Sequence, residues 1–268
     1  LLPAGGRATR ISPLPCSKEL FPIGFTRLGK NKAVRPKAAA HYLLEKMHAA
    51  GAVTAFIVLR KGKWDIPAYF GDGSLVALPL SYIVVEATRG VPFTVNAAFP
   101  FIAGKRVIFG FPDILFQPVG AYRVLLNHLN SRRADIVLGL FPAADPCKMD
   151  MVELDRDGKV QKIVIKPEKT DLTVAWIIAA WAPRFSVFLR EFVSRLEDRS
   201  EGPMFRSGRM NGSETHMGQV IDAAVREGMT VENVIFDKGW YLDIGTPEDL
   251  QSAVRHHGRR PDQTESQC

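Results

Sequence analysis

Four separated groups of residues in this 268-residue chain could share one chemistry. The first is Gly5-Gly6-Arg7-Ala8-Thr9-Arg10 with Ser17-Lys18, inside the stretch Leu1 to Ile23. Paired glycines let backbone amides come close to a ligand. Arg10 offers a forked donor and Lys18 a point charge, while Pro3, Pro13, Pro15 and Pro22 stiffen the arm that carries them. Such an arm suits phosphate oxygens; a surface turn with solvated charges is the plainer alternative. The second group is Asp113, just past the apolar run Arg106 to Gly110, and the third is Lys166-Pro167, at the end of a hairpin pattern. The fourth is Asp243, in Trp240-Tyr241-Leu242-Asp243-Ile244-Gly245-Thr246-Pro247. Two carboxylates, several cations and glycine amides together suit Mg²⁺ and a polyphosphate, because Mg²⁺ takes one or two carboxylates plus substrate phosphates. The plainer alternatives are a strand-end cap for Asp113, a turn cap for Asp243, and a solvated cation for Lys166 and Arg7.

The elements that must position these residues follow from apolar spacing. Ala55 to Leu59, Leu80 to Val85, Arg106 to Gly110 and Asp135 to Phe141 are short apolar runs of the kind that form buried strands. Helical spacing covers Pro36 to Ala50, stopped by Gly51, and then Trp64 to Phe70, Phe93 to Phe101 and Val119 to Asn130. Strand and helix therefore alternate, which argues for a parallel sheet covered on both faces. Ligands in such sheets bind beyond the carboxyl ends of the strands, where the opening loop and Asp113 both belong. The second half differs. Met151 to Asp155 and Val160 to Lys166 make a hairpin about Arg156-Asp157-Gly158, and Val174 to Trp181 is a strand. Ser186 to Glu197 and Thr215 to Glu227 are helical, Thr230 to Phe236 and Trp240 to Asp243 extended. Asp198 to Ser213 reads as a mobile polar loop. Thr246 caps a last helix with Pro247 at its first position. Residues 1–256 are expected to form one domain, with halves 1–142 and 143–256 and a flexible tail over 257–268.

Composition excludes other classes. Hydrophobic residues make 46% and charged residues 24%, enough for a real core and too ordinary for disorder. No apolar run is long enough to span a bilayer, and no secretory signal opens the sequence, although it begins without Met and with its first strand barely present. Cys16, Cys147 and Cys268 are far apart and odd in number, as in a reducing cytoplasm. Neither they nor the six histidines show metal-ligand spacing. Net charge is +7, densest over Arg27 to Lys37. That stretch reads as a solvated loop or as an electropositive rim beside an anionic substrate. No nucleic-acid motif accompanies it.

Read together and in order, these motifs resemble the sugar-1-phosphate nucleotidylyltransferases, most closely the thymidylyl- and uridylyltransferases that act on glucose 1-phosphate. The opening loop with its Ser17-Lys18-Glu19-Leu20-Phe21-Pro22-Ile23 ending, the Gly71-Asp72-Gly73 turn, Gly90, Asp113, Lys166-Pro167 and Asp243-Ile244-Gly245-Thr246 carry the resemblance over nearly the whole chain. It implies an α/β fold of the nucleotide-diphospho-sugar transferase type: a Rossmann-like, mostly parallel sheet with helices on both faces and a smaller sugar-side part. It implies that a nucleoside triphosphate, with dTTP or UTP favoured, and a sugar 1-phosphate are joined with release of pyrophosphate. Arg10 would steady the β- and γ-phosphates and Lys18 the charge developing at the α-phosphate. Gly5, Gly6 and Gly90 would shape the nucleotide pocket, Lys166 would hold the sugar phosphate, and Asp113 and Asp243 would ligate Mg²⁺. Homo-oligomers, a cytoplasmic location and no nucleic-acid or membrane partner are what the resemblance leads one to expect.

The chain departs from its relatives at several points. Ala8 stands where a glycine is usual, which a small residue tolerates at negative φ. The loop from Pro13 to Lys18 is shortened. Val85 or Glu86 replaces the glutamine that reads a pyrimidine edge, so Glu86 becomes the base-side candidate. Ile165 replaces the acidic residue before the Lys-Pro pair, and Asp150 replaces a sugar-side glycine. Phosphate and metal machinery is thus intact while base and sugar recognition are altered. A weakly catalytic nucleotide-binding homologue with a sensing or regulatory role is the alternative to an active transferase.

Overall fold

A computed structural model of the chain describes residues 1–28, 33–86, 89–200 and 214–257. In chain order its elements are β1 (Leu2–Ala4), β2 (Pro22–Leu28), β3 (Ala33–Ala38), α1 (Ala39–Ala49), β4 (Ala55–Arg60), α2 (Asp65–Phe70), β5 (Leu80–Val85), α3 (Val91–Asn96), α4 (Phe99–Ile102), β6 (Val107–Gly110), β7 (Ile114–Gln117) and α5 (Ala121–Arg132). There follow β8 (Ile136–Pro142), β9 (Asp150–Leu154), β10 (Val160–Ile165), β11 (Val174–Trp181), α6 (Pro183–Ser200), α7 (Met217–Arg226), β12 (Val231–Ile235), β13 (Trp240–Asp243) and α8 (Pro247–His257).

The strands β5, β4 and β1 pair in that order and run parallel. The Leu1 backbone extends this sheet to β6: its nitrogen donates to Ile108 O (2.8 Å) and its carbonyl accepts from Gly110 N (3.4 Å). Beyond β6 lie β11, β8 and β12, with β12 parallel to β8 and β11 antiparallel to β6 and β8. β9 also pairs antiparallel with β11, and β10 antiparallel with β9. The central run from β5 to β12 is thus mostly parallel, as the strand–helix alternation predicts, with the reversed strands β11 and β10 supplied by the second half of the chain. Side chains leave opposite faces of a strand in turn, and the two faces are covered separately. Leu2, Ile57, Ile108 and Val137 meet Leu43, Met47, Leu125 and Leu129 of α1 and α5. Val58, Phe109, Leu138 and Trp181 meet Val95, Ile102, Phe185 and Val220 of α3, α4, α6 and α7. Each such side chain, fully buried, contributes about 1.5–3 kcal/mol.

Three features differ from the sequence reading. The helix expected from Pro36 starts three residues later, because Pro36 to Ala38 belong to β3, which pairs antiparallel with β2 and sets Phe25 opposite Pro36. The basic stretch over 27–37, expected as a loop, therefore includes both arms of a hairpin. Lys37, buried there, pairs with Glu45 at 2.5 Å and lies over the Tyr42 ring. An additional short strand, β7, follows Asp113 and pairs antiparallel with β13. The loop expected over 198–213 begins as the end of α6, and its remainder lies outside the described residues. So does the expected tail beyond His257, which is itself the last residue of α8, its ring against Tyr42 and Trp240.

Candidate active site

The carboxyl ends of β1, β4, β6 and β10 open into one cavity of about 1060 Å³. Its wall includes Gly5, Gly6, Arg10, Lys18, Gly90, Asp113, Asp150, Lys166 and Asp243, so nine of the ten candidate residues meet there. Glu86 lies outside this lining. It is exposed at the end of β5 and pairs with Lys61 at 2.9 Å.

The ladder between β7 and β13 brings the two aspartates together. Asp243 pairs with Ile114, the residue after Asp113, and Ile244 N donates to the Asp113 carbonyl at 2.9 Å. Lys18 closes the group by donating from Nζ to Asp113 Oδ2. Burial alone would lower the Lys18 pKa, but Asp113 and then Asp243 outweigh it and hold the ammonium above its usual value. Asp243 is pushed up to about 6, by burial first and by the Asp113 charge second, against the pull of Lys18 and Arg10. The Arg10 guanidinium lies close: a Cβ on Gly245 would stand 2.9 Å from Arg10 Nη2 and 3.2 Å from Asp243 Oδ2. Gly245 is therefore the residue that lets the arginine approach.

Lys18 is aimed by its neighbours. It opens a single 3₁₀ turn in which Leu20 N bonds Ser17 O (2.8 Å) and Phe21 N bonds Lys18 O (3.1 Å). Ser17 donates from N and Oγ to Asp65 (2.6 and 2.8 Å). On the other side Glu19, buried, accepts from Lys63 at 2.7 Å. Lys63 lies in the turn after β4 and Asp65 opens α2, so the second helical crossover holds the arm that carries Lys18. Within that arm Ala8 sits at φ 54, not at the negative φ expected of a replacement for glycine. Ala8 O accepts from Ile11 N (3.1 Å) and Ser12 N (3.0 Å), and this turn holds the unusual angle.

The opposite wall is built from the second half. Asp150 on β9 faces Ile165 on β10 in register, which sets its carboxylate beside Lys166. Lys166 has φ 36, a left-handed angle that a lysine adopts only under constraint. Burial raises the Asp150 pKa, opposed by His216 and Lys166. Asp150 Oδ1 and Trp176 Nε1 are both buried, and the indole N–H and the Gly218 N–H lie close enough to the carboxylate to favour its charged form. His216 caps α7, its side chain accepting from the Gln219 backbone and its own N–H bonding Gln219 Oε1 at 2.8 Å. The base-side glycine joins the two walls: Gly90 pairs with Thr215, whose N donates to Arg89 O at 2.9 Å. Gly90 has φ 131, and a Cβ there would lie 2.1 Å from Thr215 O. Gly90→Ala should accordingly cost about 1–3 kcal/mol in strain, seen as a Tm lower by roughly 2–4 °C for each kcal/mol. An unchanged melting curve would show that the bridge does not bear on stability.

Sequence reasoning missed Arg60, Trp176 and His216, which also line the cavity. Arg60 ends an apolar run and so follows the same strand-end rule as Asp113. Trp176, inside the apolar run of β11, carries no signal that separates it from the core.

A family model described as nucleotidyl transferase matches residues 1–259. Relatives include the glucose-1-phosphate thymidylyltransferase of Streptomyces antibioticus, 24% identical over 95% of this chain and 65% of its own. The low-salt glycan biosynthesis nucleotidyltransferase Agl11 of Haloferax volcanii is 23% identical over 94% of this chain and 64% of its own. The mannose-1-phosphate guanylyltransferase of Mycobacterium tuberculosis is 26% identical over 92% and 60%. The chain thus spans less than two thirds of the length of these relatives. A Bacillus anthracis crystal structure, assigned as a glucose-1-phosphate thymidylyltransferase and holding a sucrose, shares the fold with a TM-score of 0.76 at 17% identity, over 96% of this chain and 93% of that one. With the family model matching almost from end to end, the chain belongs to the nucleotidyl transferase family.

Proposed function

We propose that the chain joins a nucleoside triphosphate, with dTTP or UTP favoured, to a sugar 1-phosphate, giving a nucleotide sugar and pyrophosphate. The observation that carries this reading is that two groups of cations from distant parts of the chain line one cavity: Arg10 and Lys18 with the Gly5-Gly6 loop from the first half, and Lys166 from the second. A triphosphate at the first group and a sugar phosphate at the second would bring an anionic oxygen to the α-phosphorus, in line with the departing pyrophosphate. The attacking oxygen is already charged, so no strong general base is required. The protein's task is positioning and charge neutralisation. Lys18 would meet the charge that grows at the α-phosphate, and Arg10 would hold the oxygens that leave.

Mg²⁺ fits the carboxylate pair. Asp113 and Asp243 supply hard oxygen donors, and the Asp243 charge, disfavoured by burial first and by Asp113 second, is one a cation would stabilise. Among the described residues no group of three or more His, Cys, Asp or Glu forms a fuller ligand set, which leaves the remaining positions to phosphate oxygens and water. When bound, Mg²⁺ neutralises charge on the phosphate oxygens.

In the cavity beside Lys166, the Asp150 carboxylate would take a hydrogen bond from a sugar hydroxyl. Asp150→Ala should therefore raise the KM for the acceptor about tenfold, the order expected of one hydrogen bond to a charged group, and leave the KM for the nucleotide unchanged. Equal effects on both substrates would remove Asp150 from the acceptor site. The overall reading is tested by a pyrophosphate-release screen of nucleoside triphosphates against sugar 1-phosphates with Mg²⁺. Release that needs both substrates supports it. Tight nucleotide binding without release for any pair would instead make the chain a nucleotide-binding homologue with a sensing role.

A further inference from the structure

The second half of the chain brings a further cation into the cavity, on the side of the phosphate arm. Lys148 ends the single 3₁₀ turn Pro146–Lys148, which leads into β9. It lines the cavity together with Arg10, Lys18 and Asp243, and its side chain is 53% exposed, so a ligand can reach it. Its ammonium pairs with Asp145 at 3.1 Å. Asp145 first and Asp249 second favour its charge, while Arg10 opposes it. Asp249 belongs to the first turn of α8, where its carboxylate accepts from Thr246 Oγ1 at 2.8 Å. That turn follows directly on Gly245, whose missing side chain lets Arg10 approach Asp243. Asp145 also acts on Tyr241 of β13, whose hydroxyl is pushed up to about 12 by burial, then Asp243, then Asp145. The turn that carries Lys148 therefore lies by the junction of β13 with α8, in reach of the Arg10 charge. An exposed lysine–aspartate pair three residues apart contributes little to stability. An ammonium has three donors, so one bond to Asp145 leaves two for another acceptor.

We propose that Lys148 is a further binding residue of the transfer site, holding the terminal phosphate of the nucleoside triphosphate and the pyrophosphate that leaves; this rests on the nucleotidyl-transfer reading above. Lys18 is tied to Asp113 and belongs to the α-phosphate, and Arg10, beside Asp243, meets the leaving oxygens. Lys148 adds a third cation at the Arg10 end. Two like charges in reach of each other repel, and an anion between them reverses the sign of the interaction. A phosphate suits this place, because a lysine binds phosphate oxygens as a point charge and needs no fixed geometry. Asp145 competes for the same ammonium, so its carboxylate opposes the phosphate instead of assisting it. A nucleoside diphosphate lacks the terminal group and should gain nothing from Lys148. The residue thus favours triphosphate over diphosphate without touching the base or the acceptor.

The test is equilibrium binding of inorganic pyrophosphate, UTP, dTTP, UDP and dTDP, each with Mg²⁺, to the full chain and to its Lys148→Met and Asp145→Asn variants. Pyrophosphate makes the test independent of the base. Thermal unfolding of each variant establishes that it is folded. Lys148→Met should weaken pyrophosphate and the triphosphates about five- to tenfold, the order of one charge-assisted contact at an exposed site. It should leave the diphosphates within about twofold of the wild type. Asp145→Asn breaks the same ion pair but keeps the lysine, and should bind pyrophosphate and the triphosphates as tightly as the wild type or up to about threefold more tightly. Equal weakening in both variants overturns the proposal, since it is the signature of a pair that only shapes the turn. So does a Lys148→Met variant that weakens diphosphates as much as triphosphates, or one that leaves pyrophosphate binding unchanged. The expected pattern without pyrophosphate release for any acceptor would keep Lys148 as the terminal-phosphate residue and overturn only the transferase reading. A chain that binds neither pyrophosphate nor any of the nucleotides overturns both.

Discussion

Replacing Lys18 by Met should lower the rate of the proposed pyrophosphate release by about a hundred- to a thousandfold, the range for losing one preorganised charge at a site of developing negative charge. The argument begins with protonation. Burial alone would favour a neutral amine, but Asp113 and Asp243 reverse that and keep the ammonium charged. Because its pKa is raised, the stabilisation from the pair is complete at neutral pH and is lost only as pH rises through that raised value. The charge is therefore present throughout the working range. Its position is fixed as well, by the Ser17–Asp65 and Glu19–Lys63 contacts on either side. Met keeps the unbranched stem, so packing of the arm is preserved while the charge is removed. The loss should fall mainly on kcat, because the interaction is strongest when charge has moved onto the α-phosphate oxygens. Steady-state kinetics on both substrates checks this. A kcat within threefold of the wild type would remove Lys18 from the chemistry, and a pure rise in nucleotide KM would make it a ground-state binder.

The central strands were legible because a strand buried on both faces needs consecutive apolar residues, as in Ala55 to Leu59 and Arg106 to Gly110. Once these were placed, the strand-end rule put Asp113 at the rim. Non-local pairing was not legible. The ladder of β7 with β13 joins segments on either side of much of the chain, and nothing near Ile114 in sequence announces its partner. The β2–β3 hairpin was hidden differently. Pro36 and the alternating cations argue against a strand, yet an antiparallel pair outside the central sheet tolerates both. Side-chain direction was the other blind spot. Glu86 was the base-side candidate by position, whereas Lys61 draws it to the surface and Arg60, one residue earlier, lines the cavity. Asp150 lies opposite the apolar Ile165, so the carboxylate that lines the cavity with Lys166 comes from β9 instead of β10.

Asp113→Asn and Asp243→Asn should each reduce pyrophosphate release by at least about a hundredfold, but they should separate in a second measurement. Asparagine conserves volume and removes the negative charge. At Asp113 the change also strips Lys18 of its hydrogen-bonded partner, in a place where both side chains are only 15% and 13% exposed. At Asp243 it leaves the Lys18–Asp113 pair intact and removes a carboxylate that burial and Asp113 already disfavour. Asp113→Asn should consequently lower Tm, while Asp243→Asn should leave Tm unchanged or raise it, since it removes a charge that burial and the neighbouring Asp113 disfavour. Both should weaken Mg²⁺ binding measured by titration in the presence of nucleotide. The variants at Lys18 and Asp113 should be non-additive, because each removes the other's partner. Full additivity in a Lys18→Met, Asp113→Asn cycle would mean that the two act independently. A normal Mg²⁺ titration in either aspartate variant would move the cation elsewhere in the cavity.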